Sequence, residues 1–245
     1  MKVRTVAIET STEVGSVACV ANARPVSERV FKEGLAHGRD LVVELDACIE
    51  AAGWAKADIE LIAVSVGPGS YTGVRVGVAA AKALSYALSA PVSPVCSLDV
   101  VAENGPRTAD HLAIILDARR NQIYGAFYVN VGFSFFREEG PIVTSPEEFA
   151  ARLPKPCFLL GEGLWKYAEA FRRPGFEPVE EAYWRPSATN TGLLGEKAYL
   201  IGERADAAAV EPLYLRPLEA EEKWRRRQEE ATEASGGAGE GGQRI

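Results

Sequence analysis

The chain has 245 residues, 47% hydrophobic and 25% charged, with a formal net charge of −7. Those proportions are those of an ordinary soluble globular protein, one large domain or two small ones. The acidic balance excludes a stand-alone nucleic-acid binder, whose affinity comes mainly from neutralising phosphates; if the chain acts on RNA, a partner supplies most of the contact.

In chain order, Val3 to Ile8 is an apolar run ending in the polar turn Glu9-Thr10-Ser11-Thr12-Glu13. Val14–Ala21 and Pro25–Phe31 read as two more strands, and the short turns between them predict an antiparallel meander. From His37 the period changes: Leu41, Leu45, Cys48 and Ile49 recur at helical spacing until Gly53. Leu61–Val66 is a β-branched apolar run, read as a buried parallel strand, and Val74–Leu88 is an Ala-rich helix. Pro91–Val95 is a short strand edged by prolines, after which Ser97 is expected to cap a helix with Asp99 in its first turn. Asn104-Gly105-Pro106-Arg107 reads as a boundary. Leu112–Leu116, Gln122–Val129 and Phe133–Arg137 are three further strands, the first ending at Asp117-Ala118-Arg119-Arg120. Weaker helical patterns cover Pro146–Arg152, Leu164–Phe171 and Ala188–Arg204, and Val210–Pro217 is a short extended element. Glu219–Glu233 is dense in charge and 235–242 mostly glycine, which predicts a disordered tail.

The strand-rich openings at Val3 and Leu112 match one another, each ending in a polar turn and continuing into a hairpin. A duplicated βββαβα unit with a nucleotide site between the halves describes the actin-like ATPase (ASKHA) fold, an α/β architecture. The expected division is an N-terminal half over 1–104, a reduced C-terminal half over 105–218 and the tail over 219–245.

Between the Leu61–Val66 strand and the following helix stands Gly67-Pro68-Gly69-Ser70-Tyr71-Thr72-Gly73. Three glycines and a proline make a turn that ordinary residues do not follow. The helix then begins with unpaired N–H groups at the strand's carboxyl end, a geometry that holds an anion or lets another backbone approach closely. The spacing Gly-x-Gly-x-x-x-Gly is neither a dinucleotide fingerprint nor a P-loop, and a tight structural turn stays open beside a phosphate loop. The candidate nucleotide or phosphate residues are Glu9, Thr10, Ser11, Gly67, Gly69, Ser70 and Asp117, with Arg119 and Arg120 either reaching a phosphate or simply solvated. Cys19, Cys48, Cys96 and Cys157 show no CxxC pair and read as buried reduced thiols. The amino terminus has no signal pattern and no apolar stretch is suited to cross a bilayer, so a cytoplasmic location is expected.

Ala7-Ile8-Glu9-Thr10-Ser11-Thr12, Gly67 through Gly77 with Val74-Arg75-Val76, Ser97-Leu98-Asp99, Leu116-Asp117-Ala118-Arg119 and Pro212-Leu213-Tyr214-Leu215-Arg216 together resemble the bacterial TsaB (YeaZ) family, from Val3 to about Arg216. The resemblance implies a non-catalytic member of the actin-like superfamily. Such a chain pairs with TsaD, the related subunit that carries the metal and active site. With TsaE, the pair installs threonylcarbamoyl on the adenosine beside the anticodon of tRNAs reading codons that begin with A, so tRNA is met through the complex. No metal and no cofactor of its own is expected, while ATP or ADP with Mg²⁺ at the interface with TsaD is left open. In the superfamily, carboxylates ending the first strand of each half hold Mg-nucleotide. Here these fall at Glu9, where many such chains have aspartate, and Asp117. The partner interface is expected on the two helices, at Leu41, Leu45, Val74, Val78 and Ala81, and without TsaD the same surface gives a symmetric homodimer.

The residues can also be asked whether the chain is itself a catalyst. TsaD-like proteins use two histidines at i, i+4 for their metal; here His37 is followed four residues later by Leu41, and His111 is far away. That does not make the converging ligand set a transition metal needs. An independent actin-like ATPase or small-molecule kinase is the alternative reading, resting on the glycine loop and Asp117. A glycoprotease-like peptidase lacks a Gly-x-Ser-x-Gly elbow and a base for Ser11, Ser65, Ser70 or Ser97.

Overall fold

The computed structural model describes residues 3–31, 37–132, 134–203 and 205–216. The side chain of His37 and the expected tail over 219–245 lie outside the described residues. Among the described residues, ten strands form two sheets. The first holds β1 (Arg4–Glu9), β2 (Ser16–Ala21), β3 (Arg24–Val30), β4 (Leu61–Ser65) and β5 (Val92–Val95), in the order β3-β2-β1-β4-β5. The second holds β6 (His111–Asp117), β7 (Ile123–Val131), β8 (Ser134–Thr144), β9 (Cys157–Leu160) and β10 (Phe176–Pro178), in the order β10-β9-β6-β7-β8.

Read from its other end, the second order repeats the first. Each sheet opens with an antiparallel meander, and its first strand then pairs in parallel with a fourth, which pairs in parallel with a fifth. This is the duplicated actin-like arrangement. The second copy is reduced in its helices, Pro146–Arg152 and Leu164–Phe171 having 7 and 8 residues against 15 and 18 for His37–Ala51 and Tyr71–Leu88. Cys157–Leu160 and Phe176–Pro178 were not expected from sequence, and the latter, three residues long, is too short for an alternation to show. The expected extended element after Val210 joins neither sheet; Leu213 N–H instead donates to Val66 O at 2.7 Å.

The first sheet is covered on both faces. Val6 and Ile8 of β1 face α1 (His37–Ala51) and α2 (Tyr71–Leu88), in a core with Ile62, Val64, Leu41 and Val78. The opposite parity of β1 lies beneath α6 (Ala188–Leu200), where Ala7, Ala18 and Ala63 cluster with Ala188. Small residues set that spacing, since a Cβ on Gly192 or Gly195 would meet Val20 at 2.6 Å or Ala63 at 2.5 Å. α6 thus follows the second sheet in sequence but packs on the first. α3 (Ser97–Ala102) contacts both α6 and the second sheet, whose other face carries α4 (Pro146–Arg152) and α5 (Leu164–Phe171). Phe149 of α4 fills the space above Gly125, fully buried. Each such aliphatic or aromatic side chain contributes about 1.5–3 kcal/mol of transfer free energy. Among the described residues no helix is long and apolar enough to cross a membrane.

Two local readings change. Ser97 does not cap α3; Cys96 holds the cap position, and the Ser97 hydroxyl donates to Pro68 O. The helix expected to run to Arg204 ends at Leu200, and Arg204 lies outside the described residues.

Candidate functional site

The turns that follow β1 and β6 line one cavity of about 570 Å³. Ser11, Thr12 and Glu13 come from the first turn, and Gly69, Ser70, Tyr71 and Thr72 from the glycine segment and the start of α2. Facing them are Asp117, Ala118 and Arg119 of the second turn, Glu162, Trp165 and Lys166 around α5, and Arg185. The duplicated topology therefore brings the two expected clusters together, as the actin-like pattern requires.

What the cleft presents is different from what the sequence suggests. Glu9 is fully buried and is not part of the cavity wall. Its Oε1 accepts from Ser11 N–H at 2.7 Å, and its Oε2 lies 3.2 Å from Thr191 Oγ1 on α6. Thr191 has one hydroxyl proton, and its Oγ1 is also 3.1 Å from Ser187 O. That proton serves one acceptor at a time, Glu9 Oε2 or Ser187 O. Burial raises the carboxyl above its ordinary value, against hydrogen bonding to Ser11 and Thr191. The expectation that Glu9 reaches a Mg-nucleotide is corrected on this ground, because α6 seals it from the cleft.

The glycine segment is occupied by the protein's own backbone. Ser70 N–H donates to Ser11 O at 2.7 Å, and a Cβ on Gly69 would stand 3.0 Å from Ser11 Cβ and overlap its carbonyl oxygen. Gly67 has φ of +95°, a conformation that disfavours any side chain, and its carbonyl accepts from Ser97 N–H at 2.9 Å. Ser70 caps α2, its hydroxyl accepting from Gly73 N–H at 3.3 Å, while the buried Thr10 hydroxyl donates to Gly73 O at 2.8 Å. Of the two functions open for this loop, the close backbone approach is the one these contacts show. Thr10 and Gly67 stay out of the cavity wall, whereas Ser11, Gly69 and Ser70 border it.

On the opposite wall, Asp117 accepts from Arg119 N–H at 2.8 Å and Tyr167 O–H at 3.0 Å, with Lys166 Nζ at 3.6 Å. Arg119, Arg120 and Asn121 all have positive φ, 63°, 51° and 56°, so the hairpin holds a conformation costing about 1–3 kcal/mol per non-glycine residue. Burial raises the Glu162 carboxyl, with Arg185 opposing. Arg185 lies over the Trp165 ring at 5.3 Å. Thr191, Glu162, Trp165, Lys166 and Arg185 were missed in the sequence. The pair Gly161 and Gly163 after the apolar Cys157–Leu160 was the available signal, an echo of the first glycine segment.

The helix residues named as a partner interface are placed elsewhere. Leu41, Leu45, Val74, Val78 and Ala81 are exposed by 2%, 6%, 3%, 4% and 0% and belong to the core against the first sheet. They are the stripe that covers the sheet, which corrects their assignment to a surface. The outward faces carry Val42 at 67%, Val43 at 66% and Tyr86 at 92%. Among the described residues, no group of three or more His, Cys, Asp or Glu converges as a metal site. His111 contacts Pro156 O and the Phe127 ring at the start of β6, about 20 Å along the strand from Asp117. It serves none of the serines in the cleft.

Residues 34–224 match the family model described as "TsaD: tRNA N6-adenosine threonylcarbamoyltransferase". The chain is 29% identical over 225 residues to the tRNA threonylcarbamoyladenosine biosynthesis protein TsaB of Bacillus subtilis, covering 89% of this chain and 96% of that one. It is 32% identical over 216 residues to an uncharacterized protein of Mycobacterium tuberculosis, covering 87% and 92%. YeaZ from Pseudomonas aeruginosa superposes with a TM-score of 0.78 at 27% identity, over 87% of this chain and all of that one. With the duplicated sheets and the motifs at Glu9, Gly67 and Asp117 in their expected order, the chain belongs to the TsaB (YeaZ) family.

Proposed function

We propose that this chain acts in tRNA threonylcarbamoyladenosine biosynthesis as a non-catalytic subunit that pairs with a TsaD-type transferase. The relatives named for that pathway support the process. The observation that carries the non-catalytic role is the sealing of Glu9 beneath Thr191, which withdraws one of the two carboxylates an actin-like nucleotide site uses. The surface offered to the partner is the outward faces of α1, where Val42 and Val43 stand exposed, and of α2, where Tyr86 stands exposed on the same helix as the small exposed residues Ala79 and Ala83. Exposed apolar groups of this kind mark contact sites. In the assembled complex TsaE and tRNA meet the pair rather than this chain alone, and its net charge of −7 agrees with that order.

Two measurements test this reading. Sedimentation of the chain mixed with the TsaD of the same organism is expected to show a heterodimer, and two independent species would contradict the pairing. Titration of the isolated chain with Mg-ATP is expected to show no turnover. Micromolar binding with phosphate release would instead favour an independent actin-like ATPase.

A further inference from the structure

A second cavity, of about 360 Å³, shares no residue with the wall of the cleft. It lies where α3, β8 and the C-terminal half of α6 meet. Tyr128 and Arg137 stand opposite one another across the β7–β8 ladder, beside its register irregularity, and so share a face of the sheet. Both reach Asp99 Oδ1: the Tyr128 hydroxyl donates at 2.7 Å, and Arg137 Nη1 lies at 3.2 Å. Among the described residues no hydrogen bond reaches Asp99 Oδ2. The Asp99 and Arg137 side chains keep 29% and 33% of their surface exposed, so the pair is open to a ligand. The charged residues of the wall are Asp99, Glu103 and Glu203 against Arg137 and Lys197. Arg137 takes Asp99, and Arg107 takes Glu103 at 2.6 Å. That leaves the Lys197 ammonium, 5.9 Å from the centroid of the Phe136 ring, and the Glu203 carboxylate. Among the described residues neither has an opposite charge in salt-bridge range.

We propose that this cavity binds a free α-amino acid with an apolar side chain. One cation and one anion left over match a ligand that is itself a zwitterion. A plain anion would face Asp99 and Glu203 unpaired, and a plain cation would face Lys197 and Arg137. The α-carboxylate is received by Lys197 and by the donors Arg137 has left, a guanidinium carrying five N–H groups. The α-ammonium donates to Asp99 Oδ2 and Glu203. The side chain meets Val95, Phe135 and Leu194, which give a hydroxyl or amide no partner to replace lost water. The volume lies in the range of small-ligand sites and admits one such molecule. Anchoring of α3 does not account for the arrangement. Tyr128, 2% exposed, already ties Asp99 to the second sheet, yet Arg137 from an edge strand and Lys197 from α6 turn to the same space. The proposal does not rest on pairing with TsaD.

The test is isothermal titration of the full-length chain with leucine, leucinamide and N-acetylleucine. Leucine is expected to bind at least about tenfold more tightly than either derivative, since each lacks one of the two charges. No binding of leucine, valine, methionine or phenylalanine up to about 10 mM would overturn the proposal, as would a derivative binding as well as leucine. Lys197→Gln, at an exposed position, is expected to keep the wild-type Tm, to weaken leucine at least about tenfold and to leave leucinamide as it was. Asp99→Asn is expected to weaken leucine and leave N-acetylleucine as it was; Lys197→Gln carries the test should Asp99→Asn not fold. Leucine bound by the folded variants as tightly as by wild type would put it elsewhere on the chain and overturn the site. Glutamate or lysine bound as tightly as leucine would overturn the choice of an apolar side chain.

Discussion

Glu9→Gln separates a sealed carboxyl from a metal ligand. The unfolded chain ionises Glu9 near the ordinary value of about 4.3, whereas burial raises it in the fold. Between those two values the native state holds a proton that the unfolded chain has lost. The stability from Glu9 is thus fully present below the unfolded value and is lost as pH rises through the folded one. Each unit of displacement is worth about 1.4 kcal/mol. Glutamine reproduces the neutral acid: its oxygen accepts from Ser11 N–H, now at 2.7 Å, and its amide donates to Thr191 Oγ1, which keeps its bond to Ser187 O. Glu9→Gln should then stabilise the chain at pH 8 by the order of what an uncompensated buried polar group costs, about 1–3 kcal/mol, or roughly 2–12 °C in Tm for a domain of this size. The gain should shrink to nothing as pH falls toward 4. Thermal melts of both proteins from pH 4 to 8, with and without Mg²⁺, measure this. The reasoning fails if wild type gains on the variant as pH rises, or if Mg²⁺ stabilises wild type and leaves the variant unmoved.

Other expectations follow from the same contacts. Gly69→Ala drives a methyl into the Ser11 carbonyl and breaks the Ser70–Ser11 bond, with an expected loss of about 2–4 kcal/mol in urea unfolding. Gly38→Ala, with nothing within 4 Å, should gain about 0.5–1 kcal/mol; equal effects at the two sites would contradict the packing of the loop. Val43→Glu should weaken pairing with TsaD at least tenfold while leaving Tm within about 2 °C, since surface changes usually stay within ±0.5 kcal/mol. Leu45→Ala should do the reverse, costing about 2–5 kcal/mol of stability through a buried cavity. Should Leu45→Ala spare stability and abolish pairing, the division of α1 into inner and outer faces would be wrong.

Much of the fold is legible because its signals are local. The meander at Val3–Phe31 and its echo at Leu112 announce a duplication, and the glycine segment marks a turn between a strand and a helix. The site is less legible because its decisive contacts are distant. Thr191 sits 182 residues from the Glu9 it covers, so no window along the chain shows that the carboxyl is capped. Leu41, Leu45, Val74, Val78 and Ala81 illustrate another limit: periodicity identifies an apolar stripe but not which neighbour it meets, and the sheet claims it. The outward Val42 and Val43 break the helical pattern, and that irregularity is the better sign of a second contact.

The most direct test of the central claim is tRNA threonylcarbamoylation reconstituted with TsaD and TsaE from the same organism, the threonylcarbamoyl-adenylate donor and this chain. Modified tRNA is expected when the chain is present and not when it is left out, with Glu9→Gln as active as wild type. Full product without the chain, or its loss in Glu9→Gln despite an intact fold, would contradict a non-catalytic partner subunit.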